Sequence, residues 1–209
     1  MQNINTKEYW ETRFLKNWKR SGEIQTTEYA KSNVKLLPFT ANFEGTILDF
    51  GCASGDAIPI YSQSFPKAKL SGIDISETAI DLCKKKYGTI AEFLSGTINN
   101  VSNFDIIIAS HVMEHISNDR IIVKELLKKC KDLFVFVPFR ESPLFIEHVN
   151  YYNENYYDDL AVIEKRDFKV EYTARMPFVS FLKNLLKLRV IWNYTFSKDI
   201  IMFHFKGLI

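Results

Sequence analysis

Between residues 46 and 137 the chain carries five short, largely apolar runs: TILDF at 46–50, KLSGID at 69–74, the run at 90–94, FDIIIA at 104–109 and LFVFV at 133–137. Helix-length stretches at 56–65, 77–87 and 118–129 separate most of them. A strand that is apolar along its length is buried on both faces, so strands of this kind alternating with helices point to a parallel sheet covered on both sides. Local signals agree with that pattern. Ser76 is an N-cap with Glu77 in the first turn of its helix. Pro59 sits where a first turn tolerates it, and Pro138 stops the fifth strand.

The two ends read differently. Residues 1–45 mix Tyr9, Trp10, Phe14, Trp18 and Tyr29 with polar residues, and we read them as a helical N-terminal cap on a domain spanning 46–209. Near the C-terminus, 153–164 reads as a helix. Residues 168–172 and 199–206 (DIIMFHFK) read as two strands, an antiparallel pair closing the sheet. Between them lies an insertion at about 173–198 that is expected to hold a helix over 177–188. It contains Arg175, Lys183, Lys187, Arg189 and Lys198 and no acid. Three readings stay open for it: a packed lid with a solvated basic side, an attractor for an anionic acceptor, or a peripheral membrane contact.

Composition narrows the function classes. A chain of 209 residues, 46% hydrophobic and 25% charged, can bury a full core and is not disordered. A net charge of +2 gives no reason to expect nucleic acid. Cys52, Cys83 and Cys130 are odd in number and lack CxxC spacing, which argues against structural zinc and for a reducing cytoplasm. No signal peptide and no membrane-length apolar run is visible.

The chemistry concentrates in Asp49-Phe50-Gly51-Cys52-Ala53-Ser54-Gly55, placed after a strand and before a helix. Gly51 permits a tight turn and Gly55 a close backbone approach to a ligand. An acid just ahead of the first glycine would repel a pyrophosphate and suits a cationic ligand. The GxGxxG of a nicotinamide-dependent oxidoreductase is absent. A second acid, Asp74, ends the next strand about twenty residues on, where a carboxylate can accept from two ribose hydroxyls.

With these residues in view, the sequence resembles the class I S-adenosylmethionine-dependent methyltransferases. LDFGCASG is similar to their first motif, GIDIS to their second, and FDIIIASHVMEHI to the segment around the fourth strand. Glu147, His148, Tyr151 and Tyr152, together with Tyr9, Trp10 and Arg13, resemble a small-molecule branch, and the likeness covers most of 5–172. It implies a Rossmann-like, seven-stranded, mostly parallel α/β sheet whose last strand is antiparallel. It implies S-adenosyl-L-methionine as cofactor, held by Asp49, Gly51, Cys52, Ala53, Gly55 and Asp74. Ile75, Gly96, Thr97 and Ile98 would lie around the adenine, and Ser110 on the sulfonium side. Ala53 departs from the usual glycine and is expected to narrow the methionine end.

A hydroxyl acceptor benefits from a general base, whereas an amine only needs to lose its proton. His148 is the first candidate base and His111 the second. Tyr9, Trp10, Arg13 and Tyr152 are candidate substrate contacts. His111, Glu114 and His115 have a spacing that could hold a metal, but the resemblance accounts for the pattern otherwise and no metal is expected. The resemblance implies methyl transfer to a small or carbohydrate acceptor, with sugar O-methylation for surface polysaccharides as the first reading. N-methylation of a small amine and a catalytically silent binding protein are the alternatives. The acceptor and the oligomeric state are not fixed by the sequence.

Overall fold

The structure, a computed structural model, describes residues 4–16, 18, 22–177 and 191–209. Two helices, α1 (Lys7–Lys16) and α2 (Gly22–Asn33), precede the first strand. The chain then runs through β1 (Thr46–Phe50), α3 (Ile58–Ser64), β2 (Lys69–Asp74), α4 (Glu77–Tyr87), β3 (Glu92–Ser95), β4 (Phe104–Ser110), α5 (Asp119–Leu127), β5 (Cys130–Pro138), β6 (Val162–Pro177) and β7 (Ile191–Lys206). Single 3-10 turns at Ile98–Asn100 and Met113–His115 follow β3 and β4.

The seven strands form one sheet in the order β3-β2-β1-β4-β5-β7-β6. The pairs among β1 to β5 are parallel, and β7 runs antiparallel to both of its neighbours. The runs of β4 and β5 behave as expected, whereas the run at 90–94 does not: β3 is an edge strand in which Phe93 is buried and Leu94 is exposed. Ile106, Ile107, Ile108 and Ala109 of β4 are all buried, as are Leu133 to Val137 of β5. One core layer lies on each face. Tyr61, Phe65, Phe134 and Phe136 belong to one, and Ile107, Leu126, Phe203 and Phe205 to the other. Strand order reverses between β1 and β4, and in open α/β sheets the crevice at that reversal is where ligands bind.

Ser76 caps α4 by accepting from the Ala79 amide at 3.1 Å. The helix expected at 153–164 is not there. The 154–159 segment is a run of turns, with bonds such as Leu160 N to Tyr157 O spanning three residues, and residues from 162 onward are strand. The reason lies beneath the turns. Tyr152, Tyr156 and Tyr157 all donate to the buried Asp119 carboxylate, a convergence that a continuous helix would break. The late strands are also longer than expected. β6 and β7 pair from Val162↔Phe205 out to Pro177↔Ile191, so 173–177 and 191–198 are strand, not helix. The rest of the helix expected at 177–188 lies outside the described residues. No helix among the described residues is long and apolar enough to cross a membrane.

Candidate active site

The carboxyl ends of β1, β2 and β4 open onto a cavity of about 590 Å³. Its floor is the loop after β1. Gly51 has φ +75°, and a Cβ there would run into the Val112 side chain, so only glycine fits. The Gly51 and Cys52 amides both donate to Ile73 O, at 2.8 and 3.0 Å, which ties this loop to β2. Ala53 occupies a left-handed conformation at φ +49°, and its amide donates to Asp74 Oδ2 at 2.9 Å. Gly55, at φ +79°, turns the chain toward α3 and packs near Cys83 and Tyr87 rather than lining the cavity.

Two acids face this floor. Asp49 is buried, lines the cavity, and has no hydrogen-bond partner among the described residues. Burial, with a smaller push from Asp74, raises its carboxyl to about 7. Asp74 is raised to about 6 by burial, against the pull of the Ser76 and Ala53 amides. Each Asp74 oxygen accepts one of those amides and keeps a lone pair for a ligand hydroxyl. Ile75, half exposed, continues the wall, and Gly96, Thr97 and Ile98 border the same region. Gly96 is held by its N–H, which donates to Asp74 O at 2.9 Å, and Thr97 caps the short turn that places Ile98.

The opposite limb of the cavity is polar. Ser110 ends β4 and accepts from Asn33 Nδ2 at 2.9 Å. His111 follows at φ +56° with its ring stacked on Tyr29, centroids 3.8 Å apart. A non-glycine residue held in that conformation is strained, and such strain gathers at functional sites. Its Nδ1 is 3.1 Å from Glu114 Oε1, and its Nε2 is buried with no partner among the described residues. Glu114 is buried, and burial pushes its carboxyl up. The His111 bond and the nearby His115 and His148 outweigh that and leave it below the ordinary value. His115 is lowered by burial, and its Nδ1 lies 3.0 Å from Glu147 O. The Nδ1 of His148 bonds Glu141. Donor atoms of Glu114, His115 and His148 fall within 4.8 Å of one another, close enough to hold a metal ion.

Helix α1 roofs the glycine loop. Phe14 packs with Ala53 and Ala79, flanked by Trp10 and Trp18, and Trp18 Nε1 donates to Ser54 Oγ at 2.7 Å. Glu11 accepts from Ser76 Oγ, Glu77 N and Thr78 N, which joins α1 to the start of α4. Trp10 and Arg13 line the cavity. Tyr9 does not; it donates to Glu147, whose carboxylate also lies 3.3 Å from Arg13 Nε. Burial and that carboxylate push the Tyr9 phenol up to about 12.

The expected site residues thus separate into two groups. Asp49, Gly51, Cys52, Ala53, Asp74, Ile75, Gly96, Thr97, Ile98, Ser110, His111, His148, Trp10 and Arg13 share one cavity. Gly55, Tyr9 and Tyr152 stand outside it, and Tyr152 corrects the expectation most clearly. Its ring is 1% exposed and its hydroxyl donates to Asp119 at 2.9 Å, so it is a core residue and not a substrate contact. Sequence reasoning missed Tyr29 and Glu141. Neither lies in a short-range pattern with the histidine it touches, and only the fold brings them together.

Comparison with known proteins bears on this geometry. A family described as "Methyltransferase domain" matches residues 47–133, from β1 into β5. A malonyl-[acyl-carrier protein] O-methyltransferase of Priestia megaterium is 30% identical over 94 residues, which is 43% of this chain and 34% of that protein. The chain therefore spans about a third of the length of this curated relative. Among solved structures, a methyltransferase bound to the Haloferax volcanii Trm112 methyltransferase activator superposes with a TM-score of 0.65 at 11% identity, covering 93% of this chain and 96% of that one. The plantazolicin methyltransferase BpumL, in complex with SAH, gives 0.56 at 18% identity over 97% and 95% of the two chains. The chain has the fold of the class I S-adenosylmethionine-dependent methyltransferases.

Proposed function

We propose that this protein transfers the methyl group of S-adenosyl-L-methionine to a hydroxyl of a small acceptor. The observation that carries this reading is the pairing of two unlike ends in one cavity. A buried Asp49, without a side-chain partner among the described residues, lies beside Asp74 at one end, and a cluster of histidines and glutamates lies at the other. A buried carboxylate with no partner is costly unless a cationic ligand completes it. The ammonium of the methionine moiety fits Asp49, the ribose hydroxyls fit Asp74, and the apolar edge at Ile75 and Ile98 suits the adenine. S-adenosylmethionine supplies a methyl group already activated on sulfur.

In the transfer, a lone pair of the acceptor oxygen forms the new O–C bond. The S–C bond breaks, its electrons remain on a neutral thioether, and the hydroxyl proton must leave. His111 is the better placed of the two candidate bases. Glu114 holds its Nδ1, so its Nε2 is left as the acceptor, and that atom is buried with no other partner among the described residues. Positioning and exclusion of water by the α1 roof supply the remainder.

For the acceptor, we favour the carbohydrate hydroxyl that the sequence resemblance implies. Lys198 at the cavity edge favours a negatively charged one, such as a phosphorylated or nucleotide-linked sugar. Incubation with S-adenosylmethionine labelled in its methyl group, against a panel of sugar phosphates, nucleotide sugars, hydroxy acids and amines, tests the proposal. Label on oxygen is expected, with turnover reduced about 10²–10⁴-fold in His111→Ala. Label found only on amines would overturn O-methylation, and an unchanged His111→Ala rate would remove the base.

A further inference from the structure

We infer that Glu114, His115 and His148 form a site for a divalent transition-metal cation at the acceptor end of the cavity. A donor atom from each lies within 4.8 Å of the other two, and all three residues line the cavity. Their outer partners are those of metal ligands. A metal-bound imidazole usually donates its second ring N–H to a carboxylate or a backbone carbonyl, which fixes the tautomer and leaves the other nitrogen its lone pair. Here His148 Nδ1 bonds the Glu141 carboxylate and His115 Nδ1 the Glu147 carbonyl. Neither ring's Nε2 has a bond among the described residues. Glu114 gives Oε1 to His111, while its Oε2 is buried with no partner among the described residues. Trp10, edge-to-face on His115 with centroids 5.0 Å apart, holds that ring in place.

Packing alone is the competing explanation. The edge-to-face contact of His115 and His148, 5.0 Å between centroids, is an ordinary aromatic pair. It leaves unexplained why an ionisable oxygen is stranded in the protein interior beside two imidazoles whose second nitrogens are unused. One cation satisfies all three. Donors bound at about 2.0–2.2 Å lie nearer together than this outer limit, so small side-chain rotations close the site. Two imidazoles and one carboxylate suit the zinc-like divalent ions and leave coordination positions open. The sequence pattern suggested a different trio, with His111 as the third ligand. The fold puts His148 in that place and leaves His111 bonded to Glu114.

The role of the cation rests on the methyl-transfer reading. An acceptor hydroxyl oxygen in an open position would have its pKa lowered by the ion, and its proton would pass to His111 Nε2 more readily at neutral pH. His148 is then a ligand and not the base.

The full chain, stripped with a chelator, is titrated with Co²⁺ and followed by visible absorption. One Co²⁺ per chain is expected, with the d–d bands of a nitrogen and oxygen site. His148→Ala and Glu114→Gln should each weaken binding by about 100-fold, and Glu141→Ala and His111→Ala, which each remove an outer hydrogen bond to a ligand, by about 10-fold. Thermal melting checks that each variant is folded, and His148, on a half-buried loop, remains a valid probe if the buried Glu114 variant does not fold. Three results would overturn the site: no bands at about 1 mM Co²⁺, binding unchanged in His148→Ala, or a sulfur charge-transfer band that assigns the ion to cysteine. A parallel titration with S-adenosylhomocysteine separates the two ideas. Nucleoside binding without Co²⁺ binding defeats the cation site alone, and Co²⁺ binding without nucleoside binding defeats the methyl-transfer role alone.

Discussion

Asp49 is the residue through which the proposed reading couples folding to binding. Its carboxyl is raised to about 7 by burial and by Asp74, and that of Asp74 to about 6, so both native groups hold protons more tightly than they would in the unfolded chain. Stability linked to these protons is complete below about pH 4 and is lost as pH rises through about 6 to 7. The ligand-free protein should therefore melt at a lower temperature at pH 7.5 than at pH 5.5, with the drop reduced by saturating S-adenosylhomocysteine. Affinity for that ligand should rise over the same range, because its ammonium needs the ionised Asp49; calorimetry at several pH values reads this directly, and a flat profile would contradict it. Ala53 makes a second prediction. It stands at φ +49°, where an L-residue is strained, so Ala53→Gly should stabilise the fold by about 0.5–1 kcal/mol, a rise of a few degrees in Tm. The departure from glycine, and the aversion of alanine to positive φ, are legible in the sequence; where the strain falls is not. The methyl strains the backbone at the point where the amide meets Asp74.

The elements divide by how far their sequences determined them. Strands β1, β4 and β5 were legible because continuous apolar runs can be satisfied only inside a covered sheet, and α4 because Ser76 caps it. The 154–159 turns were not, because their conformation is set by Asp119 on α5, far away in sequence. Tyr152→Phe tests that origin: removing one buried donor should cost about 1–2 kcal/mol of stability while leaving S-adenosylhomocysteine affinity unchanged. The docking of α1 was equally hidden, since it depends on Glu11 acting as a cap for a helix that begins at residue 77. Glu11→Ala should cost about 0.5–2 kcal/mol and loosen the roof over the glycine loop. Thermal melting reads the first effect and faster dissociation of the bound nucleoside the second.

In the whole molecule, a chain of modest net charge arranges its charges unevenly around one cavity. Buried acids gather where the order of the sheet reverses, and histidines paired with glutamates gather across from them. The sequence showed the acids, because the fold places them at the ends of adjacent strands within one short stretch. It did not show the second cluster as a unit, because His111 and Glu114 follow β4 whereas Glu141 and His148 follow β5, and only the parallel pairing of those strands brings the two loops together. The proposed methyl transfer requires the first cluster to hold a cationic nucleoside. Isothermal calorimetry with S-adenosylhomocysteine on the wild-type chain and on Asp74→Ala tests this most directly. One ligand per chain is expected for the wild type, and no detectable binding for Asp74→Ala in a protein that still melts cooperatively. Absence of binding to the wild type at millimolar ligand, or equal affinity in the two proteins, would contradict it.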